Sequence, residues 1–165
     1  MTLNKKKYLK IFSILFLLII VVFIIKIYFN KIEKDLIKSK EPIVINLLAS
    51  VHPNLPWAFK SINPKIIVKP GEVKTIEYAV ENLMNKKTTG IATFAYFPKE
   101  FGNYIRKLNC FCYDAQTLKP NEKNKYSVVI LIDPEVTKDS KTKNIKEVTI
   151  QFTFFDYKQY KESKS

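Results

Sequence analysis

An apolar run near the N-terminus divides this chain into two parts. Residues 11–25 are apolar with the exception of Ser13, and aromatic and aliphatic residues extend the run as far as residue 29. About twenty such residues are enough for a helix that crosses a hydrocarbon core of roughly 30 Å. Lys10 and Lys26 can reach the membrane interface with their charged ends. The run therefore predicts a transmembrane helix over residues 11–29.

The residues on either side of this helix indicate how it is used. No small-x-small cleavage site follows the run, so an uncleaved anchor is expected rather than a signal peptide that is removed. Four lysines without any acidic residue precede the run: Lys5, Lys6, Lys7 and Lys10. This pattern favours a cytoplasmic segment over residues 1–10 and an exported C-terminal part. We expect a single-pass protein of the bacterial inner membrane with its folded domain in the periplasm.

Beyond the anchor, the pattern changes to short strands. Residues 30–42 are predicted to form a tether, residues 43–158 a domain and residues 159–165 a C-terminal tail. Val148, Ile150, Phe152 and Phe154 alternate with polar residues, as in a half-buried strand. Turn sequences containing proline separate the segments. The fold class predicted is all-β: one antiparallel β-sandwich that follows one transmembrane helix in the sequence. About seven strands are predicted, at residues 43–48, 65–69, 75–82, 91–97, 104–113, 126–132 and 148–157.

Charge and motif content exclude several classes of function. The net charge is +13, from 28 Lys and Arg against 15 Asp and Glu, but the basic residues are scattered and nearly all lysine. This does not indicate a nucleic-acid-binding surface. The alternative interpretation of the charge is attraction to an acidic partner or to anionic lipid. The chain has 3 glycines and none of the common phosphate-loop, serine-hydrolase or zinc-protease motifs. We therefore expect a protein that is not an enzyme.

The 2 cysteines of the chain, Cys110 and Cys112, are one residue apart. In an extended strand their side chains would share a face, with Cα atoms roughly 6.5 Å apart, at the upper edge of what a disulfide spans. A structural zinc site needs four ligands, and the single histidine, His52, is far away in the sequence. Cu(I) accepts two or three thiolates. A Cu(I) site and a reversible or merely buried thiol pair remain alternative interpretations.

Other residues are weaker candidates. His52 is interpreted as a loop residue, and Trp57 as a residue that fills the core or the membrane-facing end of the sandwich. Asp114 is interpreted as a surface carboxylate, with hydrogen bonding to a ligand network as the alternative. Four residues near the cysteines could contact the site or could pack in the core: Phe97, Phe101, Gly102 and Tyr104.

Several blocks of the sequence resemble a known family. The block Asn109-Cys110-Phe111-Cys112-Tyr113 lies within residues 102–113, and further blocks occur at 116–120, 128–134 and 148–155. Upstream, Leu55-Pro56-Trp57-Ala58-Phe59 and residues 69–72 and 81–83 fit the same pattern. Over residues 49–157 the chain resembles the CtaG family of cytochrome c oxidase assembly proteins.

This resemblance implies an immunoglobulin-like fold and a copper chaperone that delivers Cu(I) to the CuB centre in subunit I of cytochrome c oxidase. It implies Cys110 and Cys112 as Cu(I) ligands, a homodimer when copper is bound, and both a copper donor and a thiol reductant as partners. Family members usually carry a third cysteine after the membrane span, and residues 30–49 here have none. Alternative functions are an exported thiol-redox protein and an assembly scaffold without metal.

Overall fold

A computed structural model describes residues 3–38 and 41–164. The chain divides into two compact units at residues 40 and 41. The first is one helix, α1 (Leu3–Lys38), whose stretch Leu15–Glu33 has a mean hydropathy of 2.4 and is long and apolar enough to cross a membrane. The predicted segments 1–10, 30–42 and 159–165 include residues 1, 2, 39, 40 and 165, which lie outside the described residues.

The second unit, which we call the β domain (residues 41–164), consists of two sheets. One sheet has the strand order β3-β1-β9-β5-β7 and the other β2-β4-β8-β6. A short helix, α2 (Tyr157–Glu162), follows the last strand, and three 3₁₀ turns occupy Lys99–Tyr104, Phe111–Tyr113 and Pro134–Thr137. The strands are β1 (Ile43–Val51), β2 (Trp57–Ser61), β3 (Lys65–Val68), β4 (Val73–Asn82), β5 (Thr88–Phe97), β6 (Ile105–Cys110), β7 (Gln116–Leu118), β8 (Lys123–Ile132) and β9 (Glu147–Asp156).

The sequence-based strand assignment needs three corrections. Strands β2 and β7 were not predicted, because five and three residues are too short to show alternation. The sheets are not purely antiparallel, since β1 runs parallel to β9 with Ile45 opposite Val148. The strand predicted over residues 104–113 ends at Cys110, and a 3₁₀ turn follows. The prediction of one apolar helix followed in the sequence by a mostly β, two-sheet domain is confirmed.

The core lies between the two sheets. Val148, Ile150, Phe152 and Phe154 of β9 are all buried, as their alternation predicts. Phe154 contacts Phe59 of the opposite sheet at a ring-centroid distance of 4.9 Å. Burying a large apolar side chain contributes about 1.5–3 kcal/mol, so this row of inward residues is a main source of the domain's stability.

Two incompletely paired strands define one side of the domain. In the described residues β6 pairs with β8 alone. Strand β7 covers β5 over Thr88–Gly90, and the rest of β5 is paired on one edge, with β9. These two edges belong to different sheets and face each other across the interior, since Lys107 of β6 lies over the ring of Phe94 of β5. The chain leaves β6 at this side of the domain, and the two cysteines lie there.

Candidate metal-binding cysteine site

Cys110 and Cys112 lie at the end of β6 and in the turn that follows it. Cys110 is the last residue of β6 and is only 4% exposed, whereas Cys112 is partly buried within the 3₁₀ turn Phe111–Tyr113. The two sulfurs are joined in a disulfide, and the Cα atoms are 5.0 Å apart. The expectation of roughly 6.5 Å for an extended strand was wrong, because the turn shortens the separation. The site therefore has one buried and one partly buried cysteine.

The turn forms because the residue between the cysteines belongs to the core. Phe111 is 8% exposed and its ring packs against five other aromatic rings at centroid distances of 5.1–5.8 Å. In a continued strand Phe111 would point to the face opposite Cys110. The 3₁₀ geometry instead lets both residues face the interior. The five rings are those of Phe59, Tyr78, Tyr126, Phe152 and Phe154.

Hydrogen bonds hold the turn in place. The backbone N–H of Cys112 donates to the sulfur of Cys110 at 3.1 Å. The Gln116 amide donates to the carbonyl oxygens of Phe111, at 3.0 Å, and Asp114, at 3.2 Å. The Tyr113 hydroxyl donates to the carbonyl of Lys107 at 2.7 Å, which ties the turn back to β6. Each of these bonds involves a backbone atom, so together they fix the backbone of the turn. Neither cysteine side chain acts as a donor in them.

Aromatic rings and the ammonium of Lys107 lie on the same side of the domain as the cysteines. The ammonium of Lys107 lies over the ring of Phe94 and 5.9 Å from the ring centroid of Tyr96. Burial lowers the pKa of Lys107 to about 8. Burial, together with the nearby Tyr113, raises the pKa of Tyr96 to about 12, so Tyr96 is neutral at physiological pH. We call the residues Phe94, Tyr96, Lys107 and Tyr113 the aromatic rim.

The donor set limits which metal ion this site can hold. Among the described residues there is no group of three or more His, Cys, Asp or Glu side chains arranged to hold a metal ion. A structural zinc ion requires four such ligands, so the described residues of one chain do not supply a structural zinc site. Two thiolates, released when the disulfide is reduced, fit Cu(I), which is soft and accepts two sulfur ligands.

Most of the weaker candidates have other roles. His52 lies in the loop after β1, as predicted, and stacks on Phe155. Trp57 is buried, and its indole N–H donates to Thr88 at 2.7 Å, as expected of a core residue. Asp114 is exposed, and it is its carbonyl oxygen, not its carboxylate, that accepts a bond from Gln116.

The four residues proposed as contacts beside the cysteines have separate environments. Phe101 is completely buried in the core, and Phe97 is 55% exposed. Gly102 lies so close to the Tyr96 ring that an added Cβ would be 2.5 Å from it. The Tyr104 hydroxyl donates to Asp139 at 2.6 Å. Gly102 thus lets the backbone pack directly against the Tyr96 ring of the aromatic rim. Phe101 is a core residue.

Lys107 was not predicted from the sequence as part of the site. A β-bulge between Lys107 and Asn109 inserts one residue into β6 and brings Cys110 to the same face as Lys107. Strict alternation would place residues 107 and 110 on opposite faces. A bulge leaves no clear pattern in a six-residue strand, so only the structure reveals this neighbour.

A comparison with solved structures matches this chain to a domain described as the ASH/PapD-like domain of human CEP192. It covers 72% of this chain and 86% of that domain, with 12% sequence identity and a TM-score of 0.30. A likeness at this TM-score adds nothing to the two-sheet architecture seen in the strands themselves.

Sequence comparisons identify the family. The family model described as cytochrome c oxidase assembly protein CtaG/Cox11 matches residues 24–156. The protein named cytochrome c oxidase assembly protein CtaG from Ehrlichia ruminantium (strain Gardel) is 40% identical over 121 residues, which are 73% of this chain and 68% of that protein. Its namesake from Sinorhizobium fredii is 40% identical over 115 residues, 70% of this chain and 58% of that protein. The chain therefore belongs to the CtaG/Cox11 family of cytochrome c oxidase assembly proteins, which are assembly factors and not enzymes, as the sequence predicts.

Proposed function

We propose that this chain is a membrane-anchored copper chaperone that binds Cu(I) through Cys110 and Cys112 and delivers it to the CuB site of cytochrome c oxidase subunit I. The observation that carries the proposal is the adjacency of the two sulfurs, one of them on a partly buried residue, on a turn that the core and the backbone hydrogen bonds hold in place. Membership in a family of oxidase assembly proteins supports the choice of recipient.

Copper loading begins with reduction of the disulfide. A dithiol reductant gives two electrons and two protons to the Cys110–Cys112 bond and is itself oxidised to a disulfide. The two thiols then lose two protons as they bind Cu(I) as thiolates. Delivery is ligand exchange from these sulfurs to the histidines of the oxidase, and the copper ion keeps its charge. No covalent bond of the chain breaks in that last step.

The helix α1 and the β domain suggest how the chain is placed in the cell. We propose that α1 anchors the chain in the bacterial inner membrane with its N-terminus in the cytoplasm and the β domain in the periplasm, where an immunoglobulin-like sandwich presents the cysteines. One chain supplies two thiolates, so a pair of chains could share copper, which supports a homodimer in the loaded state.

The test is copper stoichiometry in the full chain. The chain is purified in detergent, reduced, separated from the reductant and offered Cu(I), and copper per chain is measured for the wild type and for Cys110→Ser. We expect at least one Cu(I) per pair of wild-type chains and nearly none for the variant. Equal uptake by the two proteins would refute the proposal. Asn109→Ser, a change beside the site that leaves both thiols present, serves as the matched control.

The disulfide favours a second candidate function, a thiol-redox protein that keeps the thiols of other copper-handling proteins reduced. This function predicts that the reduced chain converts a protein disulfide to dithiol in the absence of metal and that both cysteines are needed. A chain that exchanges with no disulfide substrate but loads Cu(I) would exclude it. Cu(I) loading without this exchange is the result that the chaperone proposal expects.

A further inference from the structure

Lys107 shares a face of β6 with Cys110. Lys107 is opposite Ile130 of β8, and Cys110 is opposite Val128. Ile130 and Val128 are both buried and point into the interior. Positions i and i+2 of a strand lie roughly 7 Å apart on the same face, and Val128 and Ile130 have this spacing on β8. Lys107 and Cys110 are therefore neighbours between the sheets, at the side where both sheets end in exposed edges.

Within the part of the chain that the structure describes, no carboxylate forms an ion pair with Lys107. The ion pairs of the described residues engage Lys65, Lys74, Arg106, Lys123, Lys138 and Lys146, and do not include Lys107. Its ammonium instead lies over Phe94 and near Tyr96, and burial lowers its pKa to about 8. Aromatic faces attract a cation, but they do not neutralise it. A partly buried cation without a counter-ion is costly unless an anion joins it in some state of the protein.

The cysteine pair supplies such an anion in one state. As a disulfide, Cys110 and Cys112 are uncharged. Two thiolates carry a charge of −2, and with Cu(I) bound the group carries −1. The loaded site and the Lys107 ammonium then sum to zero. Resting on the proposed function, we propose that Lys107 is the counter-charge of the cysteine site and selectively stabilises the anionic bis-thiolate complex of a monovalent metal ion.

The fold keeps Lys107 in this position. The Tyr113 hydroxyl bonds to the carbonyl of Lys107, which links the cysteine turn to the backbone that carries the ammonium. Phe94 and Tyr96 limit where the side chain can go, because they occupy the opposite sheet edge. The proposed role needs no bond from Lys107 to sulfur, so Lys107 is a positioning residue that acts through electrostatics.

The test compares two metal ions that differ in charge. The full chain in detergent is reduced and its affinity for Cu(I) is measured against a competing chelator, and its affinity for Hg(II) against a competing dithiol. The bis-thiolate complex of Hg(II) is neutral, whereas that of Cu(I) carries −1. We expect Lys107→Met to weaken Cu(I) binding by about tenfold, equivalent to about 1.4 kcal/mol, and to change Hg(II) binding by much less. Lys107→Arg, which keeps the charge and can stack on the same rings, should bind Cu(I) as the wild type does.

A remote lysine provides the matched control. Lys60 lies exposed on β2, at the opposite edge of this sheet from β6, so Lys60→Met removes the same charge away from the site and should leave Cu(I) affinity unchanged. Cu(I) binding by Lys107→Met within twofold of the wild type would overturn the inference. An equal loss of Cu(I) and Hg(II) affinity, or a loss that Lys107→Arg does not restore, would also overturn it, since either result indicates a structural role. Failure of the proposed function is distinct: there, Cys110→Ser binds Cu(I) as tightly as the wild type.

Discussion

Phe111 connects the cysteine site to the stability of the whole β domain. Its ring contacts Phe59, Tyr78 and Phe152 among others, so the residue that shapes the site is also a core residue. Phe111→Ala should destabilise the domain by about 3–5 kcal/mol, the usual cost of removing a buried aromatic ring. Phe111→Leu should cost less and leave a folded domain with a looser turn and weaker Cu(I) binding.

The measurement for Phe111 is thermal unfolding of the full chain, followed through the fluorescence of Trp57, which is the 1 tryptophan of the chain and is buried in this core. Phe97→Ala is the matched control, because Phe97 is 55% exposed and its loss should change the stability little. A Phe111→Leu variant that binds Cu(I) with wild-type affinity would show that the core does not position the sulfurs.

Tyr78 carries a hydroxyl that the described residues leave without a hydrogen-bond partner, although the side chain is completely buried. Burial also raises the pKa of Tyr78 above its ordinary value, so the hydroxyl is neutral. Burying an unpaired polar group costs about 1–3 kcal/mol. We expect Tyr78→Phe to raise the unfolding temperature.

The matched control for Tyr78 is Tyr104→Phe, which deletes a hydroxyl that donates to Asp139 and should lower the unfolding temperature. Opposite signs for the two changes are the expected result of thermal unfolding. A destabilised Tyr78→Phe chain would contradict the prediction and would mean that the hydroxyl has a favourable interaction.

At the scale of elements, two turns share the same sequence pattern and the same hydrogen bond. Residues 69–72 and 119–122 each contain a proline, then a residue with positive φ, then a glutamate whose carboxylate accepts the N–H of the first residue. The positive φ falls on Gly71, at 85°, and on Asn121, at 55°. The proline followed by a left-handed residue is the pattern of a type II turn. Both turns lead into long central strands, β4 and β8.

This backbone geometry predicts a difference between substitutions. Gly71→Ala and Asn121→Ala should each destabilise the domain by about 1–2 kcal/mol, since a side chain with Cβ strains the left-handed region. Asn121→Gly should stay within about 0.5 kcal/mol of the wild type, because glycine adopts this region freely. Thermal unfolding of the three variants is the measurement. Equal losses for Asn121→Gly and Asn121→Ala would show that the asparagine side chain, not the φ angle, matters there.

Strand patterns explain which features were predictable. The alternation of β9 is visible in the sequence because every inward residue is large and apolar. The alternation of β1 does not show whether the strand runs parallel or antiparallel to β9, because the same face of β1 is buried in either case. The C-x-C segment was predicted as strand because its residues favour strands, and the packing of Phe111 overrode that preference. The cysteines were identifiable by composition and spacing, whereas Lys107 became a neighbour only through the bulge.

At the scale of the whole molecule, the proposed function requires the β domain to stay folded when its disulfide is reduced. The disulfide closes a loop of only three residues, from Cys110 to Cys112. The chain-entropy estimate for so short a loop is about 1.5 kcal/mol. The two-sheet core does not depend on this bond, because Phe111 is held by ring contacts and by its carbonyl's bond to Gln116. A reduced chain should therefore be a folded copper receiver.

Thermal unfolding of the full chain with and without a dithiol reductant tests this requirement, again with Trp57 as the reporter. We expect reduction to lower the unfolding temperature by about 5 °C and to leave the domain folded at 25 °C. Cys110→Ser should show no response to the reductant, which separates the effect of the disulfide from other effects of the reagent. If reduction unfolded the β domain at 25 °C, the thiols would be free only in a chain without a defined site, and loading of a preformed pair of sulfurs would be impossible.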